Sequence, residues 1–269
     1  VKILNGSELA GFIKERQARA VRSLIQSSKI HPKLAIIVTV EDPVIEIYMK
    51  LKKQYGAEIN IDVDIHRVEQ DEVKSLIEEL NADSSIHGII VQLPLKDQSQ
   101  TEEIVNLVAP QKDVDALGVS AVHDPATPTA ILWLLAGYGV DLKSKKIVLV
   151  GKGKLVGQPL EKMLKNSAIN ASSYDENDDL NRALSTADVI VSATGDPGVI
   201  KSEMIPLNAV VVDAGVAVEQ GVARGDLADD IHTRDDLTVT PKKGGVGPLT
   251  ICALFENVIK AAQASVQVR

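Results

Sequence analysis

The chain carries one cysteine, Cys252, in 269 residues, which excludes an internal disulfide; its apolar neighbours mark a helix-core position rather than a nucleophile. It also lacks a basic block. At a formal net charge of −8, the clustered Lys and Arg that give a nucleic-acid surface its affinity are missing, so small molecules are the expected partners. The five histidines, at positions 31, 66, 87, 123 and 232, show no ligand spacing, and no metal site is expected. No apolar run approaches the roughly 18 residues of a membrane span, and Val1-Lys2-Ile3-Leu4-Asn5-Gly6-Ser7 lacks the apolar core of a signal peptide. A cytosolic protein without membrane contact is therefore expected. There is no internal repeat or low-complexity tract, and the length suggests about two domains.

What is present is organised around residues 145–159, Lys-Lys-Ile-Val-Leu-Val-Gly-Lys-Gly-Lys-Leu-Val-Gly-Gln-Pro. Ile147 to Val150 is an unbroken β-branched and aliphatic run, of the kind needed by a parallel sheet covered on both faces. Gly151 ends it. Gly151 and Gly153 permit a sharp turn and the close approach of a pyrophosphate, which the free amides opening the next helix would face. Lys152 and Lys154 add positive charge. The Gly-x-Gly-x-x-x-Gly spacing is one residue longer than the standard dinucleotide fingerprint. A plain strand-to-helix turn is the alternative; the order strand, glycines, helix favours the cofactor reading.

Around this centre the pattern alternates. Asn5 with Glu8 resembles a capping box opening a long helix whose apolar face runs from Leu9 to about Ser27. Leu34 to Val40 reads as a strand, Glu41-Asp42-Pro43 as a turn, and Val44 to Tyr55 as a helix that Gly56 can cap. Ile59 to Ile65 (strand), Asp71 to Leu80 (helix) and Gly88 to Leu93 (strand) repeat the cycle and imply a parallel α/β sheet. Thr101 to Val108 reads as helical, and 110–128 as a loop or hinge holding a domain boundary. Beyond it come a helix from Pro128 to Tyr138 and strands at Val189 to Ser192, Val210 to Val212 and Leu237 to Thr240. These complete a second doubly wound sheet, followed by a helix from Leu249 to about Val268. The expected fold is two α/β domains flanking a cleft, the second a Rossmann-like doubly wound parallel sheet. The expected division is 1–122 plus 249–269 for one domain and 123–248 for the other.

Several stretches could carry chemistry. Tyr48 and Lys52, four residues apart, project from one helical face and can converge on one ligand. A lysine that trades protons near neutrality needs a lowered pKa, which a partly buried cleft supplies by penalising the ammonium form. Short-chain dehydrogenases share the Tyr-x-x-x-Lys spacing, and a solvated lysine-rich helix is the bland alternative. Gln92-Leu93-Pro94 ends the third strand, where open α/β sheets collect ligands, and Gln92 could hydrogen-bond Lys52 there. In Lys112-Asp113-Val114-Asp115 a carboxylate can accept paired hydrogen bonds from an amino-substituted heterocycle; a solvated turn is the other reading. Gly244-Gly245-Val246-Gly247-Pro248 offers backbone that can lie flat against a ring.

Taken together, Tyr48-x-x-x-Lys52, Gln92-Leu93-Pro94, Lys112-Asp113-Val114-Asp115, Gly151-Lys152-Gly153-x-x-Val156-Gly157-x-Pro159, Ala193-Thr194-Gly195-x-Pro197 and Gly244-Gly245-Val246-Gly247-Pro248 resemble the bifunctional methylenetetrahydrofolate dehydrogenase/methenyltetrahydrofolate cyclohydrolase family, in the family's order and over nearly the whole chain. The resemblance implies oxidation of 5,10-methylenetetrahydrofolate with a nicotinamide cofactor, hydrolysis of the methenyl product to 10-formyltetrahydrofolate in the same cleft, and a homodimer. It implies Lys52 as the acid/base residue, Tyr48 packing on the pterin, Gln92 tuning the amine and Asp115 gripping the pterin. Leu93, Gly247 and Pro248 would complete the folate contacts. On the dinucleotide side it implies Gly151, Lys152, Gly153 and Asp175, with Thr194, Gly195 and Val216 beyond them.

This sequence departs from the family in places. Ile45 stands where a serine is usual, Ala116 where a glycine follows the aspartate, and Ala126 where Pro-Cys-Thr-Pro is common; the segment between Asp115 and Thr127 is shortened. In the cofactor turn Lys152-Gly153 replaces Arg-Ser, and Ser173-Tyr174-Asp175-Glu176 occupies the place of a serine for the 2′-phosphate. The resemblance points to NADP, and Asp175 leaves NAD open, because an acidic residue at that distance binds an unphosphorylated ribose. The alternatives are a dehydrogenase that has lost hydrolysis, a noncatalytic nucleotide-binding module, and an amino-acid or shikimate-type dehydrogenase.

Overall fold

The computed structural model describes residues 2–175, 177–215, 217–219 and 222–266. In chain order the elements are β1 (Lys2–Ile3), α1 (Gly6–Ser28), β2 (Lys33–Val38), α2 (Pro43–Glu58), β3 (Asp62–Arg67), α3 (Val73–Ala82), β4 (Gly88–Val91) and α4 (Thr101–Val105). There follow α5 (Ala126–Gly137), β5 (Ile147–Val150), α6 (Gly157–Asn166), β6 (Ala171–Tyr174), α7 (Leu180–Leu184), β7 (Val189–Ser192), β8 (Val210–Asp213), β9 (Ala217–Glu219), β10 (Val222–Arg224), β11 (Thr238–Val239) and α8 (Val246–Val266). The chain forms two compact units, residues 11–126 with 251–269 and residues 1–10 with 127–250; they are called below the Lys52 unit and the glycine-turn unit.

The Lys52 unit is built on a three-stranded parallel sheet in the order β3-β2-β4. The central strand reads Lys-Leu-Ala-Ile-Ile-Val and buries every residue after the first, as a strand covered on both faces must. On one face Val73, Ile77 and Leu80 of α3 and Ile104 and Val105 of α4 cluster with Ala35, Ile37, Ile89 and Val91. Beside β4, Asp113 forms an isolated parallel bridge with Ile89, and the Ile89 amide donates to the Lys112 carbonyl at 2.7 Å. The 112–115 segment is thereby held along the sheet edge.

The start of α2 is set by Asp42, whose carboxylate accepts from the amides of Val44 at 2.7 Å and Ile45 at 3.2 Å, with Pro43 opening the helix. The helix does not stop at Gly56. It continues to Glu58 with Gly56 buried inside it, and the Gly56 carbonyl accepts from Ile59 at 3.1 Å and Ile61 at 2.9 Å, which turns the chain into β3. Ile45 and Met49 face the core, so the isoleucine found in place of the family's serine serves packing.

The glycine-turn unit holds a six-stranded sheet, β1-β11-β8-β7-β5-β6, parallel throughout. Counted from β5, strands β6, β5, β7, β8 and β11 have the doubly wound order 2-1-3-4-5, which reverses direction at β5 and β7. Residues 1–10 group with this unit, whereas the sequence placed them with the segment that follows. The reason is pairing: Lys2 stands opposite Thr238, the Leu4 amide donates to the Val239 carbonyl at 2.9 Å, and Leu4 is fully buried.

The expectation that no apolar stretch reaches membrane length also needs correction. Among the described residues one helix, α8, is long and apolar enough by length and composition to cross a membrane, and half of its most apolar window is buried inside the protein. Glu256 and Lys260 break its apolar run without lowering its average enough. Its burial is that of a core helix: Cys252, Phe255, Val258 and Ala262 are inaccessible, and the Phe255 and Tyr55 rings lie 5.0 Å apart. Burial pushes the Cys252 thiol above its ordinary range, a poor setting for a nucleophile.

Candidate active site

Lys52 lies half-buried on α2, one turn after the exposed Tyr48. Its Nζ donates to Gln92 Oε1 at 2.8 Å. Gln92 is itself fixed: its amide continues the ladder of β4 by donating to the Ile37 carbonyl at 2.9 Å, and its side-chain Nε2 donates to the Leu93 carbonyl at 2.8 Å. The amine is thus held at the carboxyl end of the sheet, where open α/β sheets collect ligands. Burial lowers the Lys52 pKa from the ordinary lysine value, and the Asp115 charge opposes that shift. Burial raises the Asp115 carboxyl, with Lys52 pulling the other way. Lys52, Gln92 and Asp115 therefore form one electrostatic group.

The sequence offered two carboxylates in 112–115, and the structure distinguishes them. Asp113 is buried and turned onto its own loop, accepting from the Gly118 amide at 2.7 Å and the Leu117 amide at 3.4 Å. Lys112 closes the end of α3, donating to the carbonyls of Leu80, Asn81 and Asp83 at 2.9, 2.9 and 2.7 Å. Asn257 of α8 ties the loop from behind through the carbonyls of Val114 at 2.9 Å and Asp124 at 2.8 Å. Asp115, the other carboxylate of the segment, is the one that feels the charge of Lys52. Just after it, Ala116 has φ of +56°, a left-handed conformation costing an alanine about 1–2 kcal/mol. Ala116→Gly relieves this at a glycine entropy cost of about 0.5–1 kcal/mol, so the variant should be more stable by up to about 1.5 kcal/mol in denaturant titration; a lower midpoint would contradict the strain argument.

In the other unit the glycine turn sits at the reversal of the strand order. The Gly151 amide donates to Tyr174 on β6 and the Ala193 amide to Val150 on β5, each at 2.8 Å. Gly151 has φ of +108°, and a β-carbon there would lie 2.5 Å from the Ala193 carbonyl oxygen; one on Gly157 would lie 1.9 Å from that of Gly151. The turn thus excludes side chains at both positions. A β-carbon on Gly153 would meet nothing within 4 Å, and α6 opens with no side-chain cap; the Gln158 amide donates to the Gly153 carbonyl at 3.1 Å and Pro159 has no N–H, so of the free helix amides expected from the sequence the turn leaves that of Gly157, with room for an anion. Lys152 reaches across to β6, 3.3 Å from Asp175 and 3.2 Å from Asp178.

Residues 4–115 match the tetrahydrofolate dehydrogenase/cyclohydrolase catalytic domain, and residues 125–266 match the NAD(P)-binding domain of the same family. The bifunctional protein FolD of Acetivibrio thermocellus is 34% identical over 100% of this chain and 99% of its own length. The chain belongs to the tetrahydrofolate dehydrogenase/cyclohydrolase family. Among solved structures, the bifunctional FolD methylenetetrahydrofolate dehydrogenase/cyclohydrolase of Campylobacter jejuni superposes with a TM-score of 0.90 at 32% identity, over 98% of this chain and 99% of that one. The Trypanosoma brucei FolD, complexed with NADP cofactor and inhibitor, superposes at 0.92 with 26% identity over 99% of this chain and 98% of that one.

Within this family frame, Tyr48, Lys52, Gln92, Leu93 and Asp115 all fall in the catalytic-domain match, and the glycine turn in the NAD(P)-binding match. Gly247 and Pro248 form the first turn of α8 in the glycine-turn unit. Thr194 and Gly195 follow β7 beside Gly151. Val216, expected among the cofactor contacts, lies outside the described residues. Two supporting aspartates escaped the sequence reading. The fully buried Asp226 accepts from Ser192 Oγ at 2.6 Å and from the amides of Thr194 at 2.7 Å and Gly195 at 3.0 Å. Asp213 accepts from the amides of Gly215, Asp226 and Leu227 at 3.0, 3.1 and 3.2 Å, and burial pushes its carboxyl up to about 6. For Asp213 the signal was an aspartate closing the apolar strand β8; Asp226 follows β10 in a bend, and its partners lie 31 to 34 residues away in sequence, out of reach of local patterning.

Proposed function

We propose that this protein oxidises 5,10-methylenetetrahydrofolate to the methenyl cation with a nicotinamide dinucleotide and hydrolyses that cation to 10-formyltetrahydrofolate. The observation that carries this reading is the half-buried Lys52 amine bonded to Gln92 within the charge of Asp115, in a chain that follows the family from end to end. The dinucleotide, when bound, accepts the hydride. The turn at Gly151 and Gly153 and the Gly157 amide that opens α6 would hold its pyrophosphate, and the loop at Thr194 and Gly195 would lie against it.

Hydride loss leaves a delocalised cation and asks mainly for placement, whereas hydrolysis requires a proton acceptor and then a donor. Neutral Lys52 takes a proton as water oxygen bonds to the methenyl carbon. The ammonium so formed gives that proton to N5 as the bond from the carbon to N5 breaks, and the remaining hydroxyl proton leaves to solvent. Gln92 Oε1 keeps the amine aimed through both steps. Asp115 is the acceptor proposed for the amino-substituted pterin ring, and Tyr48 the wall against which it packs. A spectrophotometric assay with methylenetetrahydrofolate and each dinucleotide, following the methenyl intermediate and its decay, tests substrate and both reactions on one preparation. Absence of either turnover with a folded protein removes that half of the reading.

The pH dependence has a defined sign. Hydrolysis needs the uncharged amine, so its rate rises with pH through the Lys52 pKa, which burial places below the ordinary lysine value. Asp115 favours the ammonium, so Asp115→Asn removes an opposing influence and moves the midpoint of this rise further to acid, besides weakening folate binding. The check is the kcat/KM profile for methenyl hydrolysis in wild type and variant; a midpoint that stays put or moves to base contradicts the coupling.

A further inference from the structure

We infer that the ribose end of the dinucleotide site is built for an unphosphorylated 2′-hydroxyl, so that this chain takes NAD in preference to NADP. The inference rests on the dinucleotide reading above and concerns the acidic end of β6. Strands β5 and β6 are paired in register, Val150 opposite Tyr174, so Gly151 and Asp175 emerge side by side at the carboxyl end of adjacent strands. In doubly wound sheets this is where the carboxylate that binds the adenosine ribose stands.

The local charges decide the specificity. Among the described residues Lys152 of the turn reaches this place, its Nζ 3.3 Å from Asp175 Oδ2 and 3.2 Å from Asp178 Oδ2. Asp178 is locked in position by the Asp175 amide, which donates to the same Oδ2 at 2.8 Å, and Asp175 Oδ1 accepts from the Asn177 amide at 3.0 Å. Lys152 thus faces Asp175 and Asp178, and these three side chains together carry a net charge of −1 before any ligand arrives. A 2′-phosphate would add close to two further negative charges, and drawing Lys152 onto it would leave both aspartates uncompensated. A ribose hydroxyl asks for nothing of the kind: it donates to the Asp175 carboxylate, which keeps free lone pairs. The serine expected for phosphate binding is replaced here by an acceptor-only group.

The test is a direct binding titration of NADH and NADPH, read by the fluorescence of the reduced dinucleotide, on the full-length protein and on Asp175→Ser and Lys152→Ala. Wild type should bind NADH at least about tenfold more tightly than NADPH, with the ratio narrowing as salt screens the repulsion. Asp175→Ser should shift the ratio at least about tenfold toward NADPH, and Lys152→Ala should shift it the other way by exposing both carboxylates. Thermal melts establish that both variants are folded. Equal or tighter binding of NADPH by wild type, or a ratio indifferent to Asp175→Ser, overturns the inference and leaves the dinucleotide reading standing. Binding of neither dinucleotide overturns both.

Discussion

Lys52→Met should abolish methenyl hydrolysis while leaving the protein folded and able to bind a nicotinamide dinucleotide. Methionine matches the length and apolar stem of the lysine, so α2 keeps its packing, and only the amine and its 2.8 Å bond to Gln92 are lost. General acid-base assistance of this kind contributes about 10²- to 10⁴-fold, and the hydrolytic rate should fall by that factor. Oxidation requires placement more than proton transfer and should survive better, so the ratio of the two activities is the informative quantity. Gln92→Ala should act more mildly, leaving the amine present but free to rotate. Unchanged hydrolysis in Lys52→Met, with intact dinucleotide binding, would falsify the assignment of Lys52 as the proton-transfer group.

A large loss of stability is expected from Asp226→Ala. Its carboxylate is inaccessible and accepts from one hydroxyl and two backbone amides. Alanine leaves the buried Ser192 hydroxyl and the partly buried amides of Thr194 and Gly195 without their acceptor, at about 1–3 kcal/mol for a buried donor and less where water can reach it. Some water entry and loop movement reduce the total, and a net loss of about 3 kcal/mol or more is expected. That corresponds to a fall in Tm of roughly 6–12 °C at about 2–4 °C per kcal/mol. Because two of the donors are Thr194 and Gly195, dinucleotide affinity should fall with it. Ser192→Ala removes a single donor and should cost about 1 kcal/mol, which grades the series; equal Tm values for wild type and Asp226→Ala would show that the loop holds itself.

Both predictions bear on residues that differ in how readable they were. Lys52 and Gln92 were legible because each belongs to a short motif at a place fixed by its element: a helix face for one, a strand end for the other. Asp226 was not, since its function depends on Ser192, Thr194 and Gly195, more than thirty positions earlier. Asp113 and Asp115 are two apart in one loop, and composition gave no reason to assign one to the loop and the other to the amine. The family resemblance named Asp115, and the structure adds that the Asp113 carboxylate is taken up by the amides of Gly118 and Leu117.

Elements divide the same way. The runs at 34–38, 147–150 and 189–192 and the long amphipathic first helix could be read from the sequence, because side-chain periodicity and backbone sterics act over a few residues. The two-residue β1 carries too little sequence to show a period, and β6, Ala-Ser-Ser-Tyr, has no apolar alternation. Both are strands because a neighbouring strand supplies their hydrogen bonds, from β11 and β5 respectively.

The sequence by itself determined the alternation of strand and helix, the glycine turn and the set of groups available for proton transfer, all consequences of local geometry. Only the tertiary structure decided the strand order, the transfer of the first ten residues to the glycine-turn sheet, the engagement of the Asp113 carboxylate by its own loop, and the capture of Lys152 by two carboxylates. Each of those depends on backbone pairing, hydrogen bonding or charge set by how the chain is folded, which side-chain periodicity does not encode.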